Sequence, residues 1–219
     1  GREDFDPMFD RLLTKYLGLD CYYRSQGRPV FSIFEPKRFA AGLGGVATAR
    51  EAMAMMRRRC QERGLPGLEL QAIARPEDRE PDGPARPLGF DSATSYQFCM
   101  DSGQTGDYVP WAENAMSRWP AYEKAFGTYY PHVSIGWDNT QRNPGFGAEK
   151  VVSGSTPSAF EACLWRARRY LDQRPAQTPL ITINSWNEWT EGSYLLPDLR
   201  WGYDHLRAVR NVFGARSGR

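Results

Sequence analysis

Apolar positions along this chain fall into two alternating rhythms, one of helical spacing and one of short β-prone runs. Phe5, Phe9, Leu12 and Tyr16 recur at helical spacing, with Gly18 placed to close the end, so the opening reads as a helix. The run Arg28 to Phe34, bounded by Gly27 and Pro36, reads as a strand. Ala49, Met53, Met56 and Cys60 then trace one face of a second helix that ends near Gly64, and Leu68 to Ile73 forms the next strand, with polar and apolar residues alternating for most of its length. Residues 75–89 are dense in Pro, Gly and charge and are expected to be loop, as is Asp101 to Pro110. Between them Ser92 to Tyr96 makes a short third strand. An interrupted helical pattern limited by Pro120 covers Trp119 to Tyr129. In the fourth strand, His132 to Trp137, Val133, Ile135 and Trp137 share one face, and Ser134, Gly136 and Asp138 the other. Thr156-Pro157 is an N-cap followed by proline at the first helical position, and Phe160, Leu164, Ala167 and Leu171 supply the stripe of the helix it starts. Pro179 to Asn184 is the last strand, and Leu206, Val209 and Phe213 mark a closing helix.

Five predicted strands alternate with helices, and no hairpin signal joins two of them. That order predicts an α/β fold with a parallel sheet, in one domain covering 1–219. A complete (β/α)8 TIM barrel typically takes about 250 residues, more than the 219 present. The chain also opens at Gly1 rather than at a methionine, and it is expected to be part of a longer protein.

Composition narrows the partners. The formal charge of +2, from 28 basic and 26 acidic residues, is spread along the chain, which argues against nucleic acid. The densest basic run, Arg57 to Arg59, reads as a solvated helix face. Cys21, Cys60, Cys99 and Cys163 are widely spaced, so neither a zinc ribbon nor a disulfide framework is indicated. Two isolated histidines, His132 expected in the core and His205 on a helix surface, argue against a metal site, and no cofactor motif is present. No apolar run approaches the roughly 20 residues of a membrane span, so no membrane insertion is expected.

The strongest local signal is Asn184-Ser185-Trp186-Asn187-Glu188-Trp189-Thr190-Glu191-Gly192, at the end of the last strand. With Ile181 and Ile183 facing outer helices, parity sends Thr182, Asn184 and, while the chain stays extended, Glu188 toward a barrel axis. Glu191 follows in the loop, where a turn brings it beside Glu188. Cleavage of a glycosidic bond needs one carboxylic acid to protonate the leaving oxygen and a second carboxylate as base or nucleophile, and such groups sit at carboxyl ends of barrel strands. Trp186 and Trp189 offer flat faces for sugar rings and a dry setting that raises a carboxyl pKa. The bland alternative is a pair of surface glutamates that happen to lie three apart.

A second cluster, Asp138-Asn139-Thr140 with Arg142, follows the fourth strand; it either grips vicinal hydroxyls of a sugar or forms a polar turn. Tyr22 and Tyr23 read as packing residues, Glu35 before Pro36 either lines the mouth or ends the strand, and Tyr96 stands similarly at a strand end. The side chains expected to meet a carbohydrate are Trp186, Asn187, Trp189, Trp137, Asp138, Asn139, Arg142, Tyr96 and Glu35.

On three segments the sequence resembles the glycoside hydrolase family 99-like group, which includes WbsX-like glycosyltransferases. They are Gly27-Arg28-Pro29-Val30-Phe31-Ser32-Ile33-Phe34-Glu35-Pro36, then Gly136-Trp137-Asp138-Asn139-Thr140 with Arg142, and Ile183 to Gly192, whose Asn-Glu-Trp-x-Glu-Gly core is similar to the catalytic segment of endo-α-mannosidases. The resemblance implies a retaining glycosidase with Glu191 as general acid and Glu188 as the base that deprotonates the sugar 2-hydroxyl to form an anhydrosugar, with neither metal nor cofactor. Because that group has three further strands ahead of the Gly27 segment, it implies that this chain is the C-terminal five βα units of a (β/α)8 barrel, open or incomplete by itself. Hydrolysis of a glycan or polysaccharide is the leading expectation. The alternatives are a glycosyltransferase, for which Asp4-Phe5-Asp6 and the Gly42 to Gly45 run are the weak candidates, and a non-catalytic carbohydrate-binding fragment.

Overall fold

The computed structural model describes residues 1–145, 147 and 150–214, and the fold is mixed α/β. Two compact units arise, one from Gly1–Thr94 with Ala121–Tyr129, the other from Ser95–Pro120 with the chain from Tyr130 onward.

In the first unit, α1 (Arg2–Leu12) runs through a π-helical turn, Leu13–Leu17, to Gly18, where the periodicity predicts its end. Strand β1 (Arg24–Ser25) pairs antiparallel with β2 (Arg28–Phe34), followed by α2 (Pro36–Gly42), α3 (Val46–Glu62), β3 (Glu69–Ile73) and β4 (Ser92–Thr94). Pairing of β2 with β3 and of β3 with β4 is parallel, as the alternating order requires. The expected face of α3 is the buried one: Ala49, Met53, Met56 and Cys60 pack with Phe9, Leu17 and Leu70 in one core, which pushes the Cys60 thiol up to about 11.

Three features of this unit go beyond what the sequence predicts. A hairpin joins β1 to β2 through Gln26-Gly27, both at positive φ (50° and 79°), the backbone of a type I′ turn; glutamine in place of Asn or Asp hides it from a sequence reading. The alternation in β3 does not divide it into a wet face and a dry one. Glu69 and Gln71 are buried as deeply as Leu70 and Ala72, because a parallel strand inside a sheet is covered on both faces; the Glu69 carboxylate accepts from Arg28 (3.1 Å) and Ser92 (2.9 Å) and Gln71 Oε1 from Ser32 (2.7 Å), while Gln71 Nε2 has no hydrogen-bond partner among the described residues. Finally, Arg57 and Arg59 are not merely solvated: they turn back onto Asp91 (2.8 Å) and Asp10 (2.6 Å).

The second unit contains α4 (Cys99–Ser102), β5 (Gly106–Asp107), α5 (Tyr108–Met116), the start of α6 (Trp119–Phe126), β6 (His132–Ser134) and β7 (Val152–Ser153), then α7 (Pro157–Asp172), β8 (Thr182–Asn184), β9 (Asn187–Glu188), β10 (Ser193–Tyr194) and α8 (Asp204–Phe213). Parallel pairs form between β5 and β7 and between β6 and β8, while β9 and β10 are an antiparallel hairpin. Thr156 caps α7 as its sequence predicts, accepting from the Ala159 amide at 3.2 Å. The segment 101–110 is not all loop, since α4 reaches Ser102 and α5 starts at Tyr108. Pro110 falls in the first turn of α5, where a missing N–H costs nothing, and Tyr108 is fully buried with its hydroxyl on the Ser134 carbonyl at 2.8 Å.

His132 lies in the core as expected, its ring nitrogens 2.9 Å from Thr182 Oγ1 and 3.0 Å from Ser134 Oγ, and burial lowers its pKa to about 3. His205 does not sit on a helix surface. It is buried against Phe160, and burial lowers its pKa.

Candidate active site

Small hydroxyls shape the chain where β8 ends. Asn184 is buried, with Oδ1 accepting from Gln97 Nε2 at 3.0 Å, and the same Gln97 nitrogen reaches the Gly136 carbonyl at 3.2 Å. The Ser193 hydroxyl donates to the Asn184 carbonyl, and the Ser185 hydroxyl donates to the Ser193 carbonyl, both at 2.7 Å. Ser185 Oγ in turn accepts the Glu188 amide at 3.0 Å. The chain therefore leaves the strand line after Asn184, and the parity expected to aim Glu188 does not run through it; the β9–β10 hairpin places that residue instead.

Glu191 ends the 3₁₀ turn Trp189–Glu191, and Gly192 reverses the chain at φ 59°. The Glu191 carbonyl accepts the Asp138 amide at 2.8 Å, fixing the end of the β6 segment to the glutamate loop. Asp138 folds on itself: Oδ1 accepts from the Thr140 amide (3.0 Å) and hydroxyl (2.5 Å). Together with the Asn143 amide on the Asn139 carbonyl (3.0 Å), this forms the polar turn from which Arg142 projects.

The guanidinium of Arg142 joins the two glutamates. It donates to Glu191 Oε1 at 2.6 Å, to Glu188 Oε1 at 3.2 Å and to Thr190 Oγ1 at 2.9 Å, while the Thr190 hydroxyl donates to Glu188 Oε1 at 2.7 Å. The carboxyls nevertheless have unlike surroundings. Glu191 is 8% exposed, and its Oε2 is buried with no hydrogen-bond partner among the described residues, whereas one third of the Glu188 side chain is open to solvent. Burial raises the Glu191 pKa, Arg142 opposes the rise, and the Glu188 charge adds to it. One carboxyl is thus held toward its neutral, proton-donating form beside a second that water reaches. Removal of the Arg142 charge in Arg142→Met is expected to raise the Glu191 pKa further. Carbon-13 NMR titration of the glutamate carboxyls reads this directly, and an unchanged midpoint would mean that the guanidinium does not govern the acid.

Around the carboxyls, Trp186 and Trp189 are exposed, at 54% and 46%, and Trp189 packs on Tyr194 with ring centroids 4.0 Å apart. Asn187 is exposed on β9 and Tyr96 is half-buried. Trp137 and Asn139 are buried, with Trp137 Nε1 and Asn139 Oδ1 lacking hydrogen-bond partners among the described residues. Glu35 belongs to the first unit, where its carboxylate is committed to Arg75 (2.5 Å) and Arg38 (2.8 Å). Thr190, Gln97 and Tyr194 were not singled out by sequence; Thr190 alone carried a signal, as the residue between the glutamates of the Glu-Trp-x-Glu core.

A model of the family described as Glycosyltransferase WbsX matches residues 1–209. The chain is 28% identical over 228 residues to an uncharacterized protein WxcX of Xanthomonas campestris pv. campestris, in each of two strains; the match takes in 95% of this chain and 30% of that protein. It therefore spans less than a third of the length of these curated relatives. Among solved structures it is similar to a glycoside hydrolase-like protein (TM-score 0.65, 16% identity, 97% of this chain and 60% of that one). It is similar also to the GH99 endo-alpha-mannosidase from Bacteroides thetaiotaomicron in complex with BIS-TRIS-propane (TM-score 0.60, 18% identity, 97% and 64%). At these identities the likeness is one of fold.

Proposed function

The chain belongs to the WbsX glycosyltransferase family, and from that premise we propose that it is a carbohydrate-active enzyme in which Glu191 and Glu188 divide acid and base work at one glycosidic bond. The observation that carries this reading is the asymmetry of the pair: two carboxyls meet on one guanidinium, and of the two only Glu191 is buried, with an oxygen that has no hydrogen-bond partner among the described residues. In the proposed reaction, Glu191 gives its proton to the leaving oxygen as the bond to the anomeric carbon breaks. Glu188 removes the proton of the sugar 2-hydroxyl, whose oxygen closes onto that carbon. Water then opens the resulting anhydrosugar, with Glu188 returning the proton to the 2-oxygen and Glu191 taking one from water, which retains configuration. Trp186 and Trp189 supply stacking faces. The β/α order and the share of the solved chains covered support a (β/α)8 barrel of which these residues are the C-terminal five units.

Hydrolysis is preferred over transfer because neither weak nucleotide-site candidate is favoured by its surroundings. Asp6 is held by Arg2 four residues earlier in α1, and Gly44 and Gly45 serve the turn between α2 and α3 at positive φ. Incubation with an α-mannan in ¹⁸O-labelled water, without sugar nucleotide, is expected to produce reducing ends carrying one ¹⁸O at the anomeric carbon. A product that forms only when a sugar nucleotide is added would replace this reading by glycosyl transfer.

A further inference from the structure

Between the two glutamates stands a hydroxyl to which the division of acid and base work gives no task. Thr190 is exposed in the middle of the Trp189–Glu191 turn, a setting in which a side-chain hydroxyl mostly bonds to water or to backbone. Instead, Thr190 Oγ1 lies 2.9 Å from Arg142 Nη2 and 2.7 Å from Glu188 Oε1. The direction of this chain is forced. A guanidinium only donates, so Oγ1 accepts from Arg142, and the one hydroxyl proton goes to the carboxylate. Both bonds involve a charged group and are of the stronger class, and a hydroxyl that accepts from a cation donates better to an anion. The β-branch of threonine restricts χ1, so little freedom is lost in holding the hydroxyl there.

The two oxygens of Glu188 are left unequal. Oε1 takes two donors, the Thr190 hydroxyl at 2.7 Å and Arg142 Nη2 at 3.2 Å, whereas no hydrogen bond engages Oε2 among the described residues. With one third of the side chain open to solvent, Oε2 is the oxygen left to take a proton from a sugar hydroxyl. The arrangement also outlasts the proton transfer. Once Oε2 carries the proton, Oε1 is the carbonyl oxygen of a neutral acid and still accepts from both donors, so the carboxyl need not turn before it gives the proton back.

We infer that Thr190 is a positioning residue that holds Oε1 of Glu188 and so presents Oε2 alone to the sugar 2-hydroxyl. The inference rests on the acid–base reading proposed above and acts through Glu188, since the Thr190 hydroxyl is already committed to Arg142 and that carboxylate.

Two variants of the full-length protein test it: Thr190→Val keeps the β-branch and removes the hydroxyl, and Thr190→Ser keeps the hydroxyl. Carbon-13 NMR of the glutamate carboxyls, at the alkaline plateau of their titration, needs no substrate. The Glu188 signal is expected to move in Thr190→Val and to return to its wild-type position in Thr190→Ser; a signal unmoved in Thr190→Val overturns the inference. With α-mannan as substrate, Thr190→Val is expected to lower kcat by about tenfold to a hundredfold at unchanged KM, the scale of a misplaced catalytic group, and Thr190→Ser to stay within about threefold of wild type. In a Glu188→Gln background the valine replacement is expected to change kcat by less than about twofold, because residues that act as one unit are not additive. Unchanged kcat in Thr190→Val, a loss that serine does not recover, or a loss of full size in the Glu188→Gln background each overturns the inference. Turnover of Glu188→Gln within a few-fold of wild type removes the acid–base reading instead, and the carboxyl signal still decides whether Thr190 holds Glu188.

Discussion

Replacing Glu191 by glutamine is expected to lower kcat by about a hundredfold to ten-thousandfold, the range over which a positioned acid or base acts. The amide keeps the shape of the side chain and its acceptor oxygen for Arg142 but has no proton to give, so the change isolates proton transfer from folding. Glu188→Gln is expected to fall in the same range for the opposite reason, having lost the group that accepts a proton. The pH profiles separate the roles. An acid must be protonated to work, so wild-type turnover falls as pH rises through the Glu191 pKa, and because burial raises that pKa the alkaline limb lies above the ordinary carboxyl range. A base must be able to accept a proton, and Glu188→Gln removes that group altogether. In Glu188→Gln the neighbouring negative charge that helps hold the Glu191 proton is gone, and the alkaline limb is expected to move to lower pH. Turnover of both variants within a few-fold of wild type would remove the two residues from the chemistry, whatever the fold.

What could be read in advance follows from how local each determinant is. The helical stripe Ala49–Met53–Met56–Cys60 and the Thr156-Pro157 cap depend on neighbours within a turn or two, and both appear as expected. Parallel pairing followed from the alternation of strand and helix, which fixes connectivity rather than any one contact. The expectations that failed depended on distant contacts or on atypical residues. Gln26-Gly27 turns a hairpin without the Asn or Asp that usually announces one, and β3 buries Glu69 because Arg28 and Ser92 arrive from other strands. His205 is polar in composition arguments, yet the helix it rides on presses it against Phe160. At the candidate site the glutamates stood out by their place after the last strand and beside Trp186 and Trp189, but not their unequal burial, nor that Arg142 would face them. That guanidinium comes from a turn 46 and 49 residues away in sequence, and its position was set by the Asp138–Thr140 turn that had seemed the bland alternative to sugar binding.

That turn also makes Gly192 a sensitive position, and Gly192→Ala is expected to cost both stability and turnover. Gly192 adopts φ 59°, where a side chain is disfavoured by about 1–2 kcal/mol. Added to that strain, a Cβ there would lie 2.7 Å from Asp138 Cβ and 3.1 Å from the Asp138 amide nitrogen, and both contacts involve the residue whose amide holds the Glu191 carbonyl. The clash has no flexible side-chain tip to move aside, so relief requires the glutamate loop and the Trp137–Asp138 segment to separate. A shift of about 1 Å at a catalytic group costs about a hundredfold in rate. Loss of about 2–3 kcal/mol, of the order expected for a strained backbone site, lowers Tm by roughly 4–12 °C in a protein of this size. Gly89→Ala is the matched control: φ is 79°, but nothing lies within 4 Å of the added carbon. It carries the backbone penalty without the collision, so a smaller fall in Tm and unchanged kcat are expected. If Gly192→Ala kept wild-type turnover, the registration of Glu191 against Asp138 would have no part in placing the acid, and the close approach of those two segments would be packing alone.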